Sequence, residues 1–226
     1  MTVLYVDVEH ESVLHDPERA AGHASRLEVA RNRLAIEAGE PCTVVRFDEV
    51  SEDSVSELEP SAVVLSGTTV EWQEYDFGSL QGLIDVIRSA PVPILGICAG
   101  HQLIGHAHGA SWGPLDLLRE GERDPDPRFG AGMRKERGFL PVEINSDCIL
   151  FRGLGKPPRF FQTHYWHLRD APAGFVVCAG SAVSPIQVIE RLDKPVFGVQ
   201  FHPERSDDGQ PDGYTLLRNF FAARIR

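Results

Sequence analysis

Three residues in this chain have the types and surroundings needed for acyl-transfer chemistry. Cys98 stands in Gly-Ile-Cys-Ala-Gly (96–100), directly after the apolar run VPILGI (92–97). Glycines on either side permit a sharp strand-to-helix turn. A nucleophile at the tip of such a turn is a nucleophile elbow, here with Cys in place of Ser. A helix beginning near Ala99 points its positive end at the sulfur, which favours thiolate over thiol. His202 and Glu204 lie in GVQFHPERSD (198–207), at the end of a second apolar run. In extended chain, residues two apart face the same side, and Pro203 keeps His202 out of the helical region. A carboxylate beside a histidine orients the ring, fixes its tautomer and stabilises its charged form. Thiol, base and orienting acid, in the order Cys98, His202, Glu204, meet the needs of a Cys-based acyl transfer. Each piece alone has a plainer reading: a core cysteine after a strand, and a surface His-Pro-Glu turn.

These residues must be brought together by the elements that precede them. Both pieces end apolar runs, and in an open α/β sheet sites form at the C-terminal ends of strands. The first half alternates strand and helix. Apolar runs at 3–8, 42–47, 62–67 and 92–97 read as strands. Between the first two lies a helix with Asp16-Pro17 at its start, Leu27, Ala30, Leu34 and Ala38 on one face, and Gly39 as C-cap. Leu80, Leu83, Ile84 and Ile87 mark a second amphipathic helix. Strands that are apolar throughout imply a parallel sheet covered on both faces. Residues 118–138 are charged and rich in Gly and Pro, and read as an exposed loop or loose hairpin. Strand-like pieces resume at 139–144, 159–164, 174–180, 186–191 and 196–202. A last helix over 212–225 has Tyr214, Leu217 and Phe221 on one face. The expectation is one three-layer α/β domain over residues 1–226, with a mostly parallel central sheet.

Composition narrows the function classes. The chain has 226 residues and a formal net charge of −11, which disfavours a broad nucleic-acid footprint. No run approaches the roughly 18 apolar residues of a membrane span, and MTVLYVDVEH lacks the marks of a signal peptide. Cys42, Cys98, Cys148 and Cys178 have no CxxC spacing, which argues against a zinc site or a disulfide framework. A reducing cytoplasm is the expected compartment. His101, His106 and His108 lack the i, i+4 spacing of a helical metal pair. Asp7, Glu9, His10, His15 and Asp16 show no diagnostic ligand spacing either.

LGICAGHQLIG (95–105) together with GVQFHPE (198–204) resembles the class I, triad-type glutamine amidotransferases over nearly the whole chain. The layout is most similar to stand-alone subunits of the GMP-synthetase type. The resemblance implies a flavodoxin-like fold, with Cys98 as nucleophile, His202 as base and Glu204 as its partner. It implies L-glutamine as substrate, with Gln102 and the stretch around His164 holding it. One oxyanion donor would be the N–H of Ala99, and the other would come from the turn at Gly67 and Thr68. No metal or organic cofactor is implied. With no nucleotide-binding fingerprint in the chain, the ammonia would pass to a separate synthase partner.

Two departures from the family pattern stand out. In SGTTVEW (66–72), Thr68 and Thr69 replace the expected Gly and Pro, and a β-branched residue resists positive φ. In FQTHYWHL (161–168), Tyr165 and Trp166 are larger than usual, and could narrow the pocket or face a partner together with residues 118–138. They also motivate two rival readings. One is a hydrolase for another γ-glutamyl amine or peptide, and the other is a non-catalytic regulatory homologue.

Overall fold

A computed structural model describes residues 1–155 and 157–223. In chain order its elements are β1 (Val3–Asp7), α1 (Glu11–Leu14), α2 (Pro17–Ala38), β2 (Cys42–Arg46), α3 (Glu52–Leu58), β3 (Ala62–Leu65), α4 (Gln81–Ser89), β4 (Ile94–Ile97) and α5 (Ala99–Ala107). These are followed by β5 (Trp112–Pro114), β6 (Glu136–Pro141), β7 (Glu143–Ile144), β8 (Arg159–His164), β9 (Trp166–Leu168), β10 (Phe175–Gly180), β11 (Val188–Arg191), β12 (Val196–Val199) and α6 (Asp212–Ala223). None of the described helices is long and apolar enough to cross a membrane.

The central sheet has eight strands in the order β2-β1-β3-β4-β12-β11-β10-β7. From β2 to β12 every neighbour is parallel. From β12 outward through β11 and β10 to β7 every neighbour is antiparallel. The sheet is therefore mixed. Short links such as residues 181–187 between β10 and β11 can return the chain only antiparallel, because a parallel return needs a crossover.

Side chains alternate along the parallel strands and feed two cores. Val63, Leu65 and Ile94 pack with Leu83, Val86 and Ile87 of α4 and Leu103 and Ile104 of α5. Val64, Leu95, Ile97 and Val199 pack with Ala30 and Leu34 of α2 and Leu216, Leu217 and Phe220 of α6. Helices on both faces make the three layers. The caps of α2 follow the sequence reading. The Asp16 carboxylate accepts from the N–H groups of Glu18 and Arg19 at 3.0 and 3.2 Å, and Gly39 takes φ 69°.

Some expectations shift. On α6 the buried face centres on Leu216, Leu217, Phe220 and Phe221. Tyr214 sits at its margin, with its hydroxyl donating to the Ser206 carbonyl at 2.7 Å. Positions 224 and 225 of that expected helix lie outside the described residues. The segment 118–138 is pinned rather than loose. The Lys135 side chain is fully buried, and its ammonium reaches Asp124 Oδ1 at 2.8 Å and the carbonyls of Asp126 and Gly130 at 3.0 and 2.7 Å. The end of this segment is already β6, which pairs antiparallel with β8.

Candidate active site

The turn between β4 and α5 carries Cys98 at φ 53°, ψ −105°. Among the described residues only Glu59 and Ala90 are other non-glycines with positive φ. Such a conformation costs on the order of 1–3 kcal/mol and needs surroundings that impose it. Here the Cys98 N–H donates to the Val199 carbonyl at 2.8 Å, and the Gly100 N–H donates to the Ser66 carbonyl at 3.1 Å. Glycine is required on both sides of the turn. A Cβ on Gly100 would lie 2.6 Å from Leu65 Cβ, and one on Gly96 would lie 2.5 Å from the Gly100 backbone. The buried sulfur thus sits at the N-terminus of α5, and the Gln200 side-chain amide donates toward it at 3.7 Å.

His202 follows β12, its N–H donating to the Phe161 carbonyl at 2.8 Å. Its Nδ1 lies 2.7 Å from Glu204 Oε1. Glu204 reaches the ring through a 3-10 turn over Pro203–Arg205, not through extended chain as the spacing suggested. Gly67 fits between the two motifs. A Cβ there would lie 3.1 Å from His202 Cε1 and 3.3 Å from Cys98 Cβ. Burial alone would push the His202 pKa down, but the charges of Glu204 and Cys98 overcome it and lift the ring to about 10. The arrangement therefore favours imidazolium beside a sulfur at neutral pH.

The other sequence-derived residues gather around a cleft over Cys98. It is lined by residues 68–72, Ala99, Gln102, Phe129 and residues 163–166. Among the described residues no protein acceptor takes the N–H of Thr68 or of Ala99. Thr68 holds an ordinary negative φ, so the β-branched side chain is tolerated. The Gln102 side chain is held on three sides. Its carbonyl accepts from Trp72 Nε1 at 2.8 Å, and its amide nitrogen donates to the Trp166 carbonyl at 3.0 Å and to Gln200 Oε1 at 3.1 Å. His164 is buried, with Nδ1 3.0 Å from the Trp166 carbonyl and Nε2 3.1 Å from Glu136 Oε2. Its ring is committed to protein on both sides. The Tyr165 hydroxyl donates to Glu71 Oε1 at 2.6 Å, and its ring meets Phe129 edge-on at 4.8 Å. Trp166 contributes its carbonyl, while its ring packs against the core.

Trp72, Gln200 and Glu136 also belong to this site, and Glu9 touches it through the Thr68 and Thr69 hydroxyls; sequence reasoning did not single them out for these roles. Gln200 lay in plain view inside GVQFHPE. In the sequence Glu9 stands only among metal-ligand types without diagnostic spacing. Two of the histidines near Cys98 serve packing. His101 lies against Gly198, with burial driving its pKa down to about 3, and His106 stacks on Trp112. Among the described residues one trio has metal-donor types in mutual reach, namely Cys148, Cys178 and Glu190, within 4.8 Å. Glu190 pairs with Phe197 near the start of β12, away from the strand end that leads to His202.

Residues 28–223 match the family model described as glutamine amidotransferase class-I. A glutamine-hydrolyzing GMP synthase subunit from Pyrococcus abyssi is 29% identical over 169 residues, covering 74% of this chain and 78% of that one. The glutamine-hydrolyzing GMP synthase of Allorhizobium ampelinum is 33% identical over 191 residues, covering 83% of this chain and 32% of that longer protein. In fold, the chain is similar to the crystal structure of a Thermotoga maritima glutamine amidotransferase, with a TM-score of 0.69 at 19% identity over 100% of this chain and 98% of that one.

Proposed function

From the premise that the chain belongs to the class-I glutamine amidotransferase family, we propose that it hydrolyses the side-chain amide of L-glutamine and passes the ammonia to a separate synthase. The observation that carries this reading is the buried approach of Cys98 and His202 on either side of Gly67, with Glu204 behind the His202 ring. The relatives named above come from glutamine-hydrolysing synthases, one as a separate subunit, the other as part of a longer chain. That supports a synthase as the consumer of ammonia. In this reading residues 1–226 act as one amidotransferase domain.

The Cys98 thiolate attacks the side-chain carbonyl carbon of glutamine. Negative charge moves to the carbonyl oxygen, where the N–H groups of Ala99 and Thr68 stabilise it. Imidazolium at His202 gives its proton to the amide nitrogen as the C–N bond breaks, and ammonia leaves. A γ-glutamyl thioester remains. Neutral His202 then takes a proton from water as its oxygen attacks the thioester. The S–C bond breaks, glutamate departs, and the thiolate–imidazolium pair is restored. Glu204 holds the ring in place and favours its charged form throughout.

The cleft supports a small leaving group. Tyr165, tied to Glu71 and braced by Phe129, walls it on one side, so an unsubstituted amide fits better than a bulky γ-glutamyl amine. The test is release of glutamate and ammonia from glutamine, alongside labelling by a glutamine-like electrophile. Wild type should turn over glutamine and be labelled on Cys98, and Cys98→Ser should do neither. Faster turnover of γ-glutamyl amines than of glutamine would overturn the substrate assignment. Copurification with a synthase from the native source tests the partner.

A further inference from the structure

The turn after β3 lacks the glycine and proline its family pattern calls for, yet it is tightly held. The Glu9 carboxylate, only 1% exposed, lies along it. The Thr68 hydroxyl donates to Oε1 at 2.7 Å and the Thr69 hydroxyl to Oε2 at 2.8 Å. The Thr69 N–H lies 3.1 Å from both oxygens. On its other side Thr68 Oγ1 accepts from the Val70 N–H at 3.1 Å and lies 2.6 Å from the Tyr75 hydroxyl.

Glu9 is itself anchored just beyond the end of β1. Its N–H donates to Asp7 Oδ1 at 3.1 Å, and its carbonyl accepts from Arg46 at 2.6 Å. His23 Nδ1 stands 3.9 Å from Glu9 Oε2, and His23 and Arg46 both reach Asp7 Oδ2, at 3.0 and 2.8 Å. A buried carboxylate costs several kcal/mol unless its oxygens are satisfied. One satisfying donor is the His10 N–H, 3.0 Å from Oε1; the other three come from the turn whose preceding N–H, that of Thr68, is left unpaired beside Cys98. Glu9 does not line the cleft, so it acts through the turn.

We propose that Glu9 is a positioning residue for the oxyanion turn: its carboxylate does through hydrogen bonds what a proline would do through its ring, and holds the Thr68 N–H toward the reacting carbonyl oxygen. This rests on the amidotransferase reading.

Donors to an oxyanion act chiefly in the transition state, so their misplacement falls on kcat and spares KM. Glu9→Gln puts an NH2 group where a carboxylate oxygen accepted, opposing at least one of the four donors. Glutaminase kcat should fall on the order of 10²-fold, with KM within about threefold. Alkylation of Cys98 by iodoacetamide, which builds no oxyanion, should keep its wild-type rate. Thr69→Val removes one hydroxyl donor while keeping the Thr69 N–H on both Glu9 oxygens, and should lower kcat about tenfold in the same manner. Combined with Glu9→Gln it should add little, since both act on one turn. A kcat unchanged in both single variants overturns the proposal, as does a parallel loss of alkylation and turnover. Wild type that alkylates at Cys98 but never hydrolyses glutamine would instead overturn the amidotransferase reading.

Discussion

His202 Nδ1 stands 2.7 Å from Glu204 Oε1, and both side chains are buried. Burial disfavours the charged ring, while Glu204 and Cys98 favour it strongly enough to lift the pKa from 6.5 to about 10. Glu204→Gln keeps the burial and removes the carboxylate, so the pKa must fall. The alkaline limb of glutaminase kcat/KM, expected near pH 10 in wild type, should move to lower pH in the variant. The same sign governs stability. The raised pKa favours the folded state fully below about 6.5, and that contribution is lost as pH rises through about 10. A pH–rate profile with an unmoved alkaline limb would show that the titrating proton sits elsewhere.

Strain at Cys98 makes a separate prediction. At φ 53° any side chain is disfavoured and glycine is not. Cys98→Ala and Cys98→Gly both remove the thiol and should both abolish turnover. Glycine should nevertheless melt higher, by about 1 kcal/mol of stability, because it alone relieves the backbone. In an ordinary extended or helical position alanine would be the more stable of the two. Thermal or urea unfolding of the pair decides the matter.

A methyl group at Gly67 tests how closely the two motifs meet. Its φ is not positive, so alanine meets no backbone penalty there. The added methyl instead lands 3.1 Å from His202 Cε1 and 3.3 Å from Cys98 Cβ. Gly67→Ala should therefore fold with near-native stability and lose turnover by about 10²-fold, since small misplacements of reacting groups have large effects on rate. Equal losses in stability and activity would mean the turn has moved as a whole.

How much of this site was legible in sequence depended on chain distance. The Cys98 elbow and the His202–Glu204 pair each lie within one short stretch, so residue type and spacing carried the chemistry. The Glu9–Thr69 bonds join residues 60 positions apart, and Gln102 is clamped by residues 30, 64 and 98 positions away. No local pattern encodes such partners. Lys135 was hidden for a related reason, since a buried lysine inside a charged run has the same composition as a solvated one. Helix α3 was missed because EDSVSEL offers only Val55 as a buried apolar residue, too little for a periodic signal.

Acid sensitivity should trace to His101. Its ring is buried against Gly198, and burial, with a smaller push from His164, drives its pKa from 6.5 to about 3. Above about 6.5 the ring is neutral whether the chain is folded or not. As pH falls toward 3, the unfolded chain binds the proton and the folded one does not, so stability drops. The slope contributed by one such proton is about 1.4 kcal/mol per pH unit. His101→Leu should flatten the decline by that amount across the window. Urea titrations at several pH values between about 4 and 6 measure it, and an unchanged slope would place the acid-labile group elsewhere.

Selectivity is the property that Tyr165 should control. Its hydroxyl donates to Glu71 at 2.6 Å, its ring meets Phe129 edge-on, and Gly130 lies close beneath it, where a Cβ would approach within 2.7 Å. The ring is thus fixed from three directions as a wall of the cleft over Cys98. Tyr165→Ala removes the wall while leaving Cys98, His202 and Glu204 untouched. An N-alkyl γ-glutamyl amide should then gain on glutamine in kcat/KM by about tenfold, the scale on which one apolar contact discriminates. Tyr165→Phe keeps the ring and loses only the bond to Glu71, so it should retain most of the preference for glutamine. If Phe and Ala relax the preference equally, the Glu71 hydrogen bond rather than the bulk of the ring sets the width of the cleft. If neither does, the leaving group departs by another side.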